Sequence, residues 1–205
     1  MKSINIIISI DKKSIDVINP LIKSIIMHND ANIFVITDEY IEIEYCTTIV
    51  KENKWNGPYG RITGHTYHRL FLDEYFPNIN KCIWLDFDTI VLSDISDLLD
   101  GDDWEIKVYG ANNNIINAGV IAFNFTDECK NKMAKCRDLI YKEKDDQRIL
   151  NKVFGDSFCP IPIEYNAMSF IDVKNPKIIH YVGDRKPWMI PNTYYYWLKY
   201  KNNDF

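Results

Sequence analysis

Residues 82–94, CIWLDFDTIVLSD, restrict the fold more than any other stretch of this chain. The apolar run Ile83, Trp84, Leu85 stops at Asp86, and Asp88 follows two positions later. A short run, apolar on both faces and bounded by polar residues, is the pattern of a buried strand in a parallel sheet. Burying one carboxylate without a partner is costly, and a second of like sign adds to the cost. A pair placed where a core strand leaves the core therefore points to a compensating cation. The carboxyl ends of strands are also where open α/β sheets bind ligands. Asp100 and Asp102 repeat the spacing in a polar loop that reads as a solvated turn, so the spacing alone does not identify a site.

The rest of the first half alternates strand and helix. INIIISI (4–10) is a strand rich in β-branched residues. Residues 14–28 place Ile15, Ile18, Ile22, Ile25 and Ile26 on one helical face, with Ser14 as a cap. Strands are expected at 32–37 and within 41–50. A glycine-containing loop (Asn56, Gly57, Pro58, Tyr59, Gly60) then precedes a helix at about 62–76, which Pro77 ends. This order predicts a doubly wound α/β sheet. In the second half, 105–109 and 116–124 read as strands, 129–141 and 145–154 as helices, and 161–165 and 177–182 as short strands. The aromatic tail (Tyr194, Tyr195, Tyr196, Trp197, Tyr200) is expected to pack as a terminal element rather than to form a carbohydrate platform.

A length of 205 residues fits one domain with a substantial core. The net charge of −5 leaves no basic surplus to neutralise phosphates, which excludes a general nucleic-acid binder. Five cysteines (Cys46, Cys82, Cys129, Cys136, Cys159) show no metal spacing and read as free thiols in a reducing compartment, with Cys82 in the core. The Asn124 sequon sits in an apolar strand and is discounted. The apolar stretch Ile6–Ile10 is too short for a secretory or membrane-spanning segment, so a cytoplasmic protein is expected.

Four further features join the aspartate pair, and together the segments resemble glycosyltransferase family 8. YHRLFLDEYFPNINKCIWLDFDTIVLSDISDLLD (67–100) is similar to that family's helix and Asp-x-Asp strand, and INAGVIAFNF (116–125) to its Asn-Ala-Gly strand. DQRILN (146–151) resembles its Asp-Gln-x-x-Leu-Asn helix, and IIHYVGDRKPW (178–188) its closing His-x-x-Gly-x-x-Lys-Pro-Trp segment. Ser9-Ile10-Asp11 is similar to the family's opening. The resemblance implies a single GT-A domain over 1–205, α/β in class, with a mixed, mainly parallel central sheet flanked by helices. Residues 1–100 would form its nucleotide and metal half and 101–205 its sugar and acceptor half.

The implied reaction moves a hexose, glucose or galactose, from a UDP-sugar donor to an unidentified hydroxyl acceptor with retention of configuration. A divalent cation neutralises the leaving diphosphate. Two carboxylates and one imidazole suit Mn²⁺, or Mg²⁺, so the metal ligands are expected to be Asp86, Asp88 and His180. Lys186, with Gly183 before it, would close over the diphosphate as a flap. Arg69 corresponds to a basic residue near the donor phosphates and sugar, although a lone helical arginine would otherwise be a surface charge. Ser9 and Asp11 would hold the base or ribose. Small residues at Asn117, Ala118 and Gly119 let a hexose approach the backbone, while Asp146 and Gln147 would face sugar hydroxyls or the anomeric carbon. Asp145 reads as a helix cap. Gln147 is a poor nucleophile, which favours front-face substitution assisted by the departing phosphate. His28, His65 and His68 lack such context and are expected on helix surfaces.

The interval from Asp86 to Asn117 is short for the family, and the chain stops soon after Trp188, so acceptor recognition is the less supported half. WLDFDTIV also resembles the nucleophile motif of haloacid-dehalogenase phosphatases, with Asp86 as nucleophile. A catalytically silent nucleotide-sugar-binding protein is the third reading.

Overall fold

The computed structural model of the chain describes residues 3–55, 64–111, 115–143, 145–184, 186–189 and 194–202. The loop at 56–60 and the first residues of the helix expected from 62 lie outside these. Seven strands form the main sheet in the order β3-β2-β1-β4-β7-β6-β8. They are β1 (Ile4–Ser9), β2 (Ala31–Thr37), β3 (Cys46–Val50), β4 (Lys81–Leu85), β6 (Ile106–Ala111), β7 (Ile115–Asn124) and β8 (Cys159–Pro160). Four of the neighbouring pairs are parallel; β4–β7 and β7–β6 are antiparallel. The central strand β4 thus has one parallel and one antiparallel neighbour, and the sheet is mixed and mainly parallel, as expected.

Both faces of this sheet are covered, which is why β1 and β4 are apolar at consecutive positions. Ile6 and Ile8 of β1 pack with α1 (Ile15–His28), through Ile18, Ile22 and Ile25. Ile7 and Trp84 point to the other face, where they join Met133 of α3 (Asp127–Leu139) and Phe154 of α4 (Asp146–Phe154). Thr126 caps α3 by accepting from the Cys129 N–H, and Asp145 caps α4 by accepting from that of Arg148.

A smaller sheet, β5 (Thr89–Val91), β10 (Ile178–His180) and β9 (Ala167–Met168), lies beyond the end of β4. The strand expected at 161–165 is instead a 3-10 helix, Ile163–Asn166, flanked by the two-residue strands β8 and β9. Pro160 and Pro162 have no N–H to give a ladder, which limits pairing there. The expected helix at 62–76 is a 3-10 helix, Gly64–Phe71, followed by one turn of α-helix, α2 (Leu72–Tyr75). The terminal helix α5 (Tyr195–Asn202) buries Trp197 and Tyr200 against Ile90 and Tyr181.

Candidate functional site

The turn Asp86-Phe87-Asp88 joins the two sheets. Asp86 follows β4 and donates its backbone N–H to the Gly119 carbonyl on β7 at 2.8 Å. Asp88 precedes β5, and its carbonyl accepts from the Tyr181 N–H at 2.9 Å, just beyond β10. Because β10 pairs with β5 so that His180 lies opposite Thr89, the imidazole reaches the carboxylates. Its Nε2 stands 3.4 Å from Asp88 Oδ1 and 3.9 Å from Asp86 Oδ2. One ligand atom from each of Asp86, Asp88 and His180 lies within 4.8 Å of the others.

His180 is buried and held from behind. Its Nδ1 stands 2.9 Å from Asn166 Oδ1, and Asn166 Nδ2 donates to Asn117 Oδ1 at 2.8 Å. The amide oxygen of Asn166 can only accept, so Nδ1 carries a proton and Nε2 is the nitrogen turned to the carboxylates. On its other side the ring lies so close to Gly119 that a Cβ there would collide with it. Glycine is thus required at 119 by the imidazole itself.

The carboxylates differ. Asp86 Oδ1 accepts from Arg69 Nη2 and from Trp84 Nε1, both at 2.9 Å. Asp88 is buried and bonds to Lys186 Nζ through Oδ2. Burial pushes the Asp88 carboxyl up, but the hydrogen bond and charge of His180, together with Lys186, outweigh it and hold it below the ordinary range. Lys186 Nζ also donates to the Tyr181 carbonyl at 2.8 Å.

Arg69, expected near the phosphates or otherwise on the surface, is 1 % exposed. Its guanidinium stacks 4.7 Å over Trp84 and donates to the Ala118 carbonyl. It links two carboxylates, with Nη2 on Asp86 and Nε 2.9 Å from Asp146 Oδ2. Asp146 is buried and accepts from Thr66 Oγ1 at 2.8 Å. Gln147 Oε1 accepts from the Ala118 N–H at 3.2 Å. These groups surround an open cavity of about 280 Å³, whose wall includes Asn117, Ala118, Gly119, Gln147, Gly183 and Lys186. Gly183 has φ 91°, a left-handed conformation that favours glycine, and a Cβ there would meet nothing within 4 Å.

Ser9 and Asp11 are outside this wall. Ser9 is buried at the end of β1 with no partner for its hydroxyl among the described residues, and Asp11 accepts from Ser14 Oγ at 2.6 Å. Sequence reasoning missed Asn166, Thr66 and Trp84 as supports. Asn166 lies fourteen residues before His180 with no motif around it, and only the β9–β10 pairing brings the two together. The surface placement expected of the remaining histidines is overturned. His65 and His68 are buried, and His28 is partly buried with Nε2 2.8 Å from Tyr200 Oη. The tight 3-10 winding turns His65 and His68 inward, where an α-helix would spread them.

The chain matches the family model described as glycosyl transferase family 8 over residues 5–190. It is 27 % identical over 161 residues to the glycosyltransferase GlyE of Streptococcus pneumoniae, covering 65 % of this chain and 39 % of GlyE. To mouse glycogenin-1 it is 28 % identical over 126 residues, covering 53 % of this chain and 38 % of that protein. The chain therefore spans about two fifths of the length of either relative. In fold it is similar to the galactosyltransferase LgtC, solved with donor and acceptor sugar analogues, at a TM-score of 0.82 and 19 % identity over 97 % of this chain and 94 % of that one. The apo form of GlyE gives 0.74 and 23 %, over 98 % of this chain and 60 % of that one.

Proposed function

Because the chain belongs to glycosyltransferase family 8, we propose that it is a metal-dependent retaining hexosyltransferase that takes glucose or galactose from a UDP-sugar and passes it to a hydroxyl acceptor. The observation that carries this reading is the convergence of Asp86, Asp88 and His180 at the junction of the two sheets. The donor set fits a divalent cation such as Mn²⁺ or Mg²⁺, with two carboxylates, one imidazole and an Asn166 contact that leaves His180 Nε2 as the ligating nitrogen. Bound there, the cation would supply Lewis-acid neutralisation of the diphosphate leaving group.

The chain's own groups divide the remaining work. Lys186 holds Asp88 and can turn its ammonium to the diphosphate, while the backbone at Gly183 allows close approach of a phosphate. Arg69 acts as a positioning residue, since it fixes Asp86 and Asp146 at once. Gln147, anchored on the Ala118 N–H, keeps its amide at the sugar side of the cavity, where its dipole can stabilise positive charge developing on the ring. Asn117, Ala118 and Gly119 form the wall against which a hexose would rest, and Ser9 and Asp11 would take the ribose or base. The acceptor hydroxyl would give its proton to the departing phosphate oxygen as the new glycosidic bond forms on the same face. The fold shared with LgtC, whose complex holds donor and acceptor sugar analogues, supports this placement. The haloacid-dehalogenase alternative has no support from the family assignment.

The test follows UDP release from UDP-glucose and UDP-galactose in the presence of Mn²⁺. Slow donor hydrolysis is expected, abolished by EDTA and reduced about 100-fold or more in Asp88→Asn. Release that persists in both conditions would refute metal-dependent transfer. Donor binding without any release would identify a silent nucleotide-sugar-binding protein instead.

A further inference from the structure

A second cluster of metal-ligating side chains lies apart from the donor site and shares no residue with it. The 3-10 helix Gly64–Phe71 stacks positions three apart, so it has two working edges. Thr66 and Arg69 face Asp146. His65 and His68 face the loop after β2, with their ring centroids 5.8 Å apart. One carboxylate oxygen of Asp38 and one ring nitrogen from each histidine lie within 4.8 Å of one another.

We infer that Asp38, His65 and His68 bind a Zn²⁺ ion that pins the 64–71 segment to the end of β2. Asp38 Oδ2 stands 3.3 Å from His65 Nε2. Two ligands each about 2.0–2.1 Å from one tetrahedral zinc sit roughly that far apart. The other carboxylate oxygen, Oδ1, accepts the Asn53 N–H at 3.0 Å, which orients Asp38 as second partners orient metal ligands. His68 Nδ1 stands 3.3 Å from Tyr75 Oη, which leaves Nε2 for a ligand.

Both histidines are at least nine-tenths buried, and His68 Nε2 has no hydrogen-bond partner among the described residues. Buried polar nitrogens are rarely left without one. The loop below is built close. Asn53 Oδ1 accepts the Trp55 N–H at 3.0 Å, and the Trp55 ring stands edge-on to His68 at 5.5 Å. A side chain at Gly64 would collide with the Trp55 carbonyl and the Asn53 amide. Two imidazoles and one carboxylate form a softer set than the two carboxylates and one imidazole of the donor site, and suit zinc over Mg²⁺ or Mn²⁺. Occupancy would fix the element that delivers Arg69 to Asp86.

The test dismantles the donor cluster first, with Asp88→Asn and His180→Ala together, and titrates the metal-stripped protein with Zn²⁺ against a chromophoric chelator. About one equivalent should bind, raising the melting temperature by about 5–10 °C at a hundredfold excess over Kd. Adding Asp38→Asn, a half-exposed position that should not compromise folding, is expected to weaken binding by about tenfold or more, and His68→Ala to abolish it. Co²⁺ in place of zinc should show tetrahedral d–d absorption that Asp38→Asn removes. No binding to the folded double variant, or binding indifferent to Asp38→Asn, would overturn the assignment.

Discussion

Gly119 and Asn166 hold His180 from opposite sides, one by having no side chain and the other by accepting its Nδ1 proton. Each makes a separate prediction for the proposed donor-site metal. Gly119→Ala puts a methyl group where the imidazole stands. It should cost about 1–3 kcal/mol of stability through overpacking and weaken Mn²⁺ binding as the ring is displaced. Asn166→Ala removes a fully buried amide with both of its hydrogen bonds, frees the ring to change tautomer, and is expected to lower Mn²⁺ affinity about 10–100-fold. Mn²⁺ titration by electron paramagnetic resonance, paired with thermal melts, separates the two effects. An Asn166→Ala protein with unaltered Mn²⁺ affinity would show that His180 needs no support from behind.

At the level of elements, a few polar clamps tie the small sheet and its flanking segments to α1 and to the 3-10 helix Ser96–Leu99. Ser24 Oγ on α1 accepts the Val91 N–H of β5 at 3.0 Å, and Asn29 Oδ1 accepts that of Ile95. Asp97, in the 3-10 helix Ser96–Leu99, bonds to Tyr165 Oη and to Lys177 Nζ, thereby holding the segments that lead into β9 and β10. Burial pushes the Asp97 carboxyl up, but the hydrogen bonds of Lys177 and Tyr165 and the lysine's charge hold it below its ordinary value. An ionised Asp97 therefore stabilises the fold above the unfolded carboxyl range near pH 4, and that contribution is lost as pH falls through the lower folded value. Its side chain is 48 % exposed, so screening limits the gain to about 1 kcal/mol or less. Urea denaturation of Asp97→Asn should show a deficit of that size at pH 7 that shrinks as the medium is acidified below pH 4. A deficit constant with pH would remove the carboxylate from the account.

Across the whole molecule, β4 and β7 form the hinge of the design, because their pairing sets Asp86 beside Gly119. The two apolar layers that clamp this pair supply most of the stability, and α4 is fastened to its layer by Phe154, which is fully buried. Phe154→Ala should cost about 3–5 kcal/mol and lower the melting temperature by about 6–20 °C, as calorimetry would show. The strands β1, β4 and β7 and the helix α1 could be read from their residues, since an apolar run or a 3.6-residue period is a local property that burial on two faces or one makes obligatory. The Asp86–Asp88 pair stood out for the same reason, as charge at the end of an apolar run. Residue patterns carried no record of which strands lie side by side, so the antiparallel β4–β7 contact was not legible. The same holds for the placing of Asn166 behind His180 and for the burial of Arg69 between two carboxylates. His65 and His68 were misread because an α-helix and a 3-10 helix share their residue preferences; tertiary packing, with Trp55 against Tyr67, His68 and Phe71, goes with the tighter winding. Local chemistry in the chain thus specified the strands and the ligand types, while long-range pairing, which depends on contacts between distant residues, assembled them into a site.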